Sequence, residues 1–157
     1  MPRFTDFRLA SFGLRSLATI EAYANFKTWR YGEIEVSSGS LVAIHRRWWP
    51  RIGSQSEAYL DSYHRTLPSD SCRAYFAFPF RAPGYMTVLY ARGGPNLQYK
   101  TIDQAVLVMD EIAQLRDSNA IVCQVVSDRG TERLMNRWGY VRHACTLGDN
   151  HYIKRFR

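Results

Sequence analysis

The segment Met86–His143 constrains the fold of this chain more than any other. It reads MTVLYAR, GGPNLQYK, TIDQAVLVMDEIAQLRD, AIVCQVV and SDRGTERLMNRWGYVRH in succession. Ile102, Ala105, Val106, Met109, Ile112 and Ala113 recur at helical spacing, so a long helix is predicted there. Thr101 and Gln104 have the spacing of a capping box, which places the helix start at Thr101. Residues 120–126 are nearly all apolar, as in a strand covered on both faces. Two strands, 86–92 and 120–126, joined by a helix are expected to run parallel with a right-handed crossover. A short helix over about 130–138 follows, and Gly139 suits the left-handed residue that closes it.

The flanking chain adds strands on both sides. Leu14–Trp29 carries a moderate helical pattern, with Gly32 as its stop. EIEV and LVAIH flank SSGS and predict a hairpin over 33–37 and 41–46. Ser54 and Glu57 form another capping box, opening a helix that runs to about Thr66 and stops before Pro68. Residues 72–79 and 86–92 are β-prone and predict an antiparallel neighbouring pair. Val141–Leu147 and His151–Phe156 predict a closing hairpin. The order α, β, β, α, β, β, α, β, α, β, β indicates an α/β fold: a mixed, largely antiparallel sheet flanked by helices. At 157 residues the expectation is one domain spanning 1–157, with 1–13 a loosely ordered lead-in.

Charge bears on partners. Lys+Arg total 21 against 14 Asp+Glu, a formal net charge of +7, and only Lys27, Lys100 and Lys154 are lysines. Arginine forks match phosphate oxygens in a way that lysine does not. Nucleic acid, a membrane surface and a phosphorylated small ligand are all compatible with that charge. No stretch is long and apolar enough to span a bilayer, and the N-terminus is a poor secretory signal, so a cytoplasmic protein is expected. Cys72, Cys123 and Cys145 lack zinc or CxxC spacing; Cys72 and Cys123 read as buried, reduced thiols, and no metal is expected.

The run from 72 to 156 resembles the acyl-CoA-binding half of the GNAT (Gcn5-related N-acyltransferase) family. In that family the strand before the long helix splays from its neighbour and acyl-CoA occupies the opening. The resemblance implies a GNAT-like fold, acetyl-CoA or another acyl-CoA as donor, and an amine as acceptor. It implies phosphate contacts from Arg92, Gly93, Gly94, Gln98, Tyr99, Lys100 and Thr101, since the first turn of a helix has free N–H groups and a positive dipole end. The family's Gln/Arg-x-x-Gly-x-Gly/Ala motif is absent from Arg92–Thr101, and Asp103 places a negative charge near the helix start. In the second helix Leu134, Gly139 and Tyr140 match family positions. Met135 stands where members often carry a proton-donating tyrosine, and a thioether donates no proton.

Outside the resemblance, His45 ends a predicted strand ahead of Arg46, Arg47, Trp48, Trp49 and Arg51. His45 has the unperturbed chemistry of a general base. Tyr90 and Arg92 share one face of their strand; the resemblance makes this the acyl-binding strand and so implies Tyr90 as a substitute acid, with a packed aromatic as the plainer role. Glu33 and Glu35 are carboxylates that could line an acceptor site. His143, His151, Lys154, Arg155 and Arg157 read as a solvated basic edge. Two functional readings follow. One is an N-acyltransferase with His45 and Tyr90 as catalytic groups. The other is a non-catalytic module binding nucleic acid through Arg46, Arg47 and Trp49, with the tryptophans packed on the sheet as the plainer role.

Overall fold

The structure is a computed structural model that describes residues 28–47, 67–125, 131–143 and 150–156. The expected lead-in 1–13, nearly all of the expected helix 14–29, the helix from Ser54 to about Thr66, and Trp48, Trp49, Arg51 and Cys145 lie outside the described residues. The described part is a mixed α/β structure. Its strands are β1 (Tyr31–Ser37), β2 (Ser40–Arg47), β3 (Ser71–Ala77), β4 (Tyr85–Gly93), β5 (Ala120–Gln124), β6 (Val141–Arg142) and β7 (His151–Arg155). Its two described helices are α1 (Tyr99–Leu115) and α2 (Thr131–Arg137).

All seven strands form one sheet in the order β2-β1-β3-β4-β5-β7-β6. β4 and β5 are parallel, as their connection through α1 predicts, and every other pairing is antiparallel. The first hairpin turns through Ser38 and Gly39, both at positive φ (50° and 74°), the pairing a two-residue primed turn needs. β1 then accepts β3 on its other edge. Gly32, expected to stop a helix, lies inside β1 opposite Phe76. A Cβ built on Gly32 would lie 2.2 Å from Cζ of Phe76, so the ring uses the space that a side chain would fill.

One face of the sheet carries the core. Ile34, Val36, Ala74, Phe76, Met86 and Ile121 are buried there with Val108, Met109, Ile112 and Ala113 of α1. Met135 and Tyr140 join the same cluster, so α2 shares that face. Burial at this level is worth roughly 1.5–3 kcal/mol for each large apolar side chain. Asp110 on α1 is also buried and is ion-paired with Lys154 of β7. Among the described residues no helix is long and apolar enough to cross a membrane.

α1 starts two residues before the expected capping box. Its N-cap is Gln98, whose side chain makes no cap bond. Thr101 is fully buried inside the first turn, and its Oγ1 accepts the Gly39 N–H at 2.9 Å. The hydroxyl therefore holds the β1–β2 turn against the helix instead of capping it. With this start Asp103 falls outside the first turn, and its Oδ1 accepts the Trp138 Nε1–H at 3.0 Å.

Candidate functional site

The β4–β5 ladder stops early. Its last pair is Val88 with Cys123, yet β4 continues to Gly93. Just beyond that point β4 is bulged: Phe76 pairs with Val88 and Tyr75 with Tyr90, leaving Leu89 as the extra residue. A bulge bends a strand and increases its twist. β5 ends at Gln124, one residue past the last pair, so Leu89–Gly93 of β4 run on beyond the end of β5 and leave a notch in the described part of the sheet; residues 126–130, which follow β5, lie outside the described residues.

The bulge also decides which side chains face the notch. A regular strand would put position 90 on the same face as Val88, toward the core. The extra residue moves Tyr90 and Arg92 to the face opposite α1, in register with Tyr75 and Arg73. Tyr90 stacks on Tyr75 with ring centroids 6.2 Å apart and planes at 25°.

Across this face the sheet aligns two polar rows. His45, Glu33, Tyr75 and Tyr90 follow one another on β2, β1, β3 and β4. Ala43, Glu35, Arg73 and Arg92 form the next row. Arg73 bridges the rows, with Nη1 3.5 Å from Glu33 Oε1 and Nη2 3.2 Å from Glu35 Oε1. Burial works against the charge of Arg73, but the Glu35 hydrogen bond and the two carboxylates outweigh it and hold the guanidinium more firmly protonated. Glu33 is 1% exposed, a charge placed there by its arginine and its strand position.

On the far side of the notch, Gln124 of β5 pairs with His151 of β7, on the same face as Val122 and Ile153. The parallel partner of Val122 is Thr87, two residues before the bulge, so this is the face of Tyr90. The His143 amide donates to the His151 carbonyl at 2.7 Å, which extends the row to His143. His151 thus lies on the face of Tyr90, two strand spacings or about 10 Å of backbone from β4, with Gln124 of β5 between them. His45 stands on the other side of Tyr90, three strand spacings or about 14 Å of backbone away, and is exposed. Sequence patterning grouped His151 with a basic edge because its neighbour in space, β5, is distant in the chain.

The loop into α1 is occupied by the protein's own groups. The Gln98 N–H donates to Asp70 Oδ1 at 2.9 Å. The amides of Asn96 and Leu97 donate to the carbonyls of Ser69 and Gly94, and those of Thr101 and Ile102 to Gln98. A Cβ on Gly94 would lie 2.0 Å from the Pro68 carbonyl oxygen, and one on Gly93 would lie 2.2 Å from a Leu97 methyl. Both glycines accommodate internal packing. Gln98 Nε2 donates to the Asn96 carbonyl at 3.2 Å. Tyr99 stacks on Trp138 with centroids 6.1 Å apart, and the Arg137 guanidinium lies 5.0 Å from the Tyr99 ring. The Lys100 side chain lies along Gly39.

The remaining candidates separate. Met135 is buried in the core. Cys72 and Cys123 are free thiols pushed up by burial to about 11 and about 12, which makes them poor nucleophiles at neutral pH. Arg46 is exposed on the β2 edge strand, while Trp49 lies outside the described residues. No protein-family model matches this chain, and no curated protein sequence matches it.

Proposed function

We propose that this protein is a GNAT-type N-acyltransferase domain whose notch receives the acyl-pantetheine arm of a thioester donor, with transfer to an amine. The observation that carries the reading is that β4 runs on from Leu89 to Gly93 past its parallel ladder with β5, which closes at Val88 and Cys123, on two strands joined by a long helix. A strand edge released in this way presents N–H and C=O groups at strand spacing, and an arm bearing two amides can pair with it as an added strand would.

The residues present fit one half of coenzyme A and not the other. The edge from Leu89 to Gly93 suits the amide arm. The start of α1 does not suit a diphosphate: the Asp70 carboxylate already holds the Gln98 amide, and the glycines that would admit phosphate are filled by the chain itself. Recognition therefore rests on the pantetheine portion, and the nucleotide end contributes little.

In this arrangement Tyr90 donates a hydrogen bond to the thioester carbonyl as negative charge develops on its oxygen. His151 accepts a proton from the attacking amine across the notch. Glu33, Arg73 and Glu35 are positioning residues: they lock the sheet face on which Tyr75 and Tyr90 stack. The departing thiolate takes its proton from water, since Met135 is buried in the core and has no proton to donate.

Calorimetry with acetyl-CoA, S-acetylpantetheine and 3′,5′-adenosine diphosphate tests the reading. The first two are expected to bind within about threefold of one another, and the nucleotide alone not to bind. Absence of heat and of any thermal shift with both thioesters at millimolar concentration overturns it.

A further inference from the structure

The end of the sheet remote from the notch carries a second, unrelated constellation. The start of β1, the ends of β2, β3 and β7, and the starts of β4 and β5 all meet there, as the register pairs Tyr31 with Arg47 and Ala77, and Ala120 with Tyr85 and Arg155. The described connections at this end (28–30, 78–84, 116–119) and residues 155–156 contain Arg30, Arg81, Arg116 and Arg155 against a single acid, Asp117.

Aromatic rings are interleaved with these cations. Phe80 is 82% exposed, and Tyr85 is 41% exposed. Arg30 lies over two rings at once, 5.5 Å from the Tyr31 centroid and 5.9 Å from that of Phe80. It therefore sets a cation between the two rings. Arg116 is used differently: it covers Phe78 at 4.2 Å and donates to the Trp29 carbonyl, which braces the 28–30 segment beneath the surface.

Phe80 is exposed on an ordered support. The Phe78 amide donates to the Arg30 carbonyl at 2.8 Å. Two successive turns follow, closed by Ala82 N–H to Pro79 and Tyr85 N–H to Ala82. The Asn119 amide then ties Gly84 to the α1–β5 connection at 2.6 Å. A large aromatic held in water on a braced loop costs solvation, and its contact with Arg30 leaves most of the ring exposed.

We infer that this end of the sheet binds single-stranded nucleic acid. Bases stack on Phe80 and Tyr85, and Arg30, Arg81 and Arg155 contact the phosphates. The chemistry of the exposed apolar groups distinguishes this from a membrane surface. The markedly exposed aliphatic residues (Val42, Leu89, Leu107, Val141) lie elsewhere on the described chain, and the large ones here are aromatic. Lying on a lipid surface calls for a continuous apolar face, as on an amphipathic helix, whereas the exposed rings here are separate, stand on loop and strand start, and have cations between them, as base stacking needs. Arg46, exposed on β2 and paired with Gly32 at the start of β1, stands near the same end. The inference is independent of the transferase reading, because the notch lies at the opposite end of the strands.

Fluorescence anisotropy of a labelled 20-nucleotide oligo-uridine, titrated with the full-length protein at several salt concentrations, tests it. Phe80→Ala is expected to weaken binding about tenfold and Phe80→Trp to retain it. Arg30→Ala combined with Arg81→Ala should lower the magnitude of the salt slope by about 1.4, the value for two fewer neutralised phosphates on a single strand. Arg133→Ala, an exposed cation on α2, should leave the affinity unchanged. Equal affinity of Phe80→Ala and the parent protein overturns the inference. So does equally tight binding of heparin or a duplex of the same length, or binding to phosphatidylserine-containing vesicles without binding to the oligonucleotide.

Discussion

Asp70 Oδ1 accepts the Gln98 amide at 2.9 Å, so the positive end of α1 is met by a carboxylate from the turn before β3. The carboxylate sets a negative charge beside the helix end that would otherwise favour a ligand phosphate. Removing it should change selectivity. Asp70→Asn keeps an acceptor oxygen and removes the charge; acetyl-CoA should then gain about threefold to tenfold over S-acetylpantetheine in calorimetry, an effect of the size of one helix-dipole charge. An unchanged ratio would show that α1 takes no part in donor binding.

The two histidines on the polar face should behave differently. His151→Gln is expected to lower kcat by about 10²–10⁴-fold, with the affinity for S-acetylpantetheine little changed. His45→Gln should change kcat by less than about threefold, since it lies about 14 Å of backbone from Tyr90. The reverse ranking would move the reacting centre toward β2.

Gly32→Ala inserts a methyl where the Phe76 ring already sits, 2.2 Å from the built position. The core must shift, at a cost of about 1–3 kcal/mol. Urea denaturation should show this loss, and Gly32→Ala with Phe76→Leu should recover part of it by removing the clashing atoms.

Thr101→Val keeps the volume of a fully buried side chain and leaves the Gly39 amide without its acceptor. The expected loss is about 1–3 kcal/mol. Thr101→Ser should retain most of the stability, which chemical denaturation can measure; equal losses in both variants would trace the effect to packing alone.

Burial raises Cys72 to about 11 and Cys123 to about 12 in the folded protein. In the unfolded chain both ionise near the ordinary thiol value, about 8.5. Below that pH both states keep their protons and the stability is intact. Between about pH 9 and about 11–12 the unfolded state loses protons that the folded state retains, so stability falls as pH rises. Urea midpoints at pH 8, 9 and 10 should decline, and less steeply in Cys123→Ala. Mass spectrometry at pH 8 should find Cys72 and Cys123 alkylated only in denaturant.

Local patterning makes much of the architecture legible. The α1 periodicity from Ile102 to Ala113 and the apolar run at 120–126 announce a helix and a buried strand, and their order dictates a parallel pair. The Ser38-Gly39 turn is legible for a similar reason, because few residues tolerate positive φ. Gly32 and Thr101 mislead, since local rules make them a helix stop and a helix cap. In each case the competing partner, Phe76 or Gly39, is more than forty residues away in the chain, and no local rule contains it.

The functional surfaces lie on the same divide. Sequence alone determined the element types, the cationic excess dominated by arginine, and the absence of the phosphate-loop motif, because these depend on residue identity and short-range spacing. Tertiary structure decided which face Tyr90 occupies, since one extra residue at Leu89 inverts the strand's alternation. It decided that His151 shares a sheet face with Tyr90, because β7 pairs with β5 across a chain separation that carries no pattern. It also gathered Arg30, Phe80, Tyr85 and Arg155 at one end of the sheet. Strand pairing is a long-range choice, made by whole faces burying together, and side-chain neighbours across strands exist only once that choice is made.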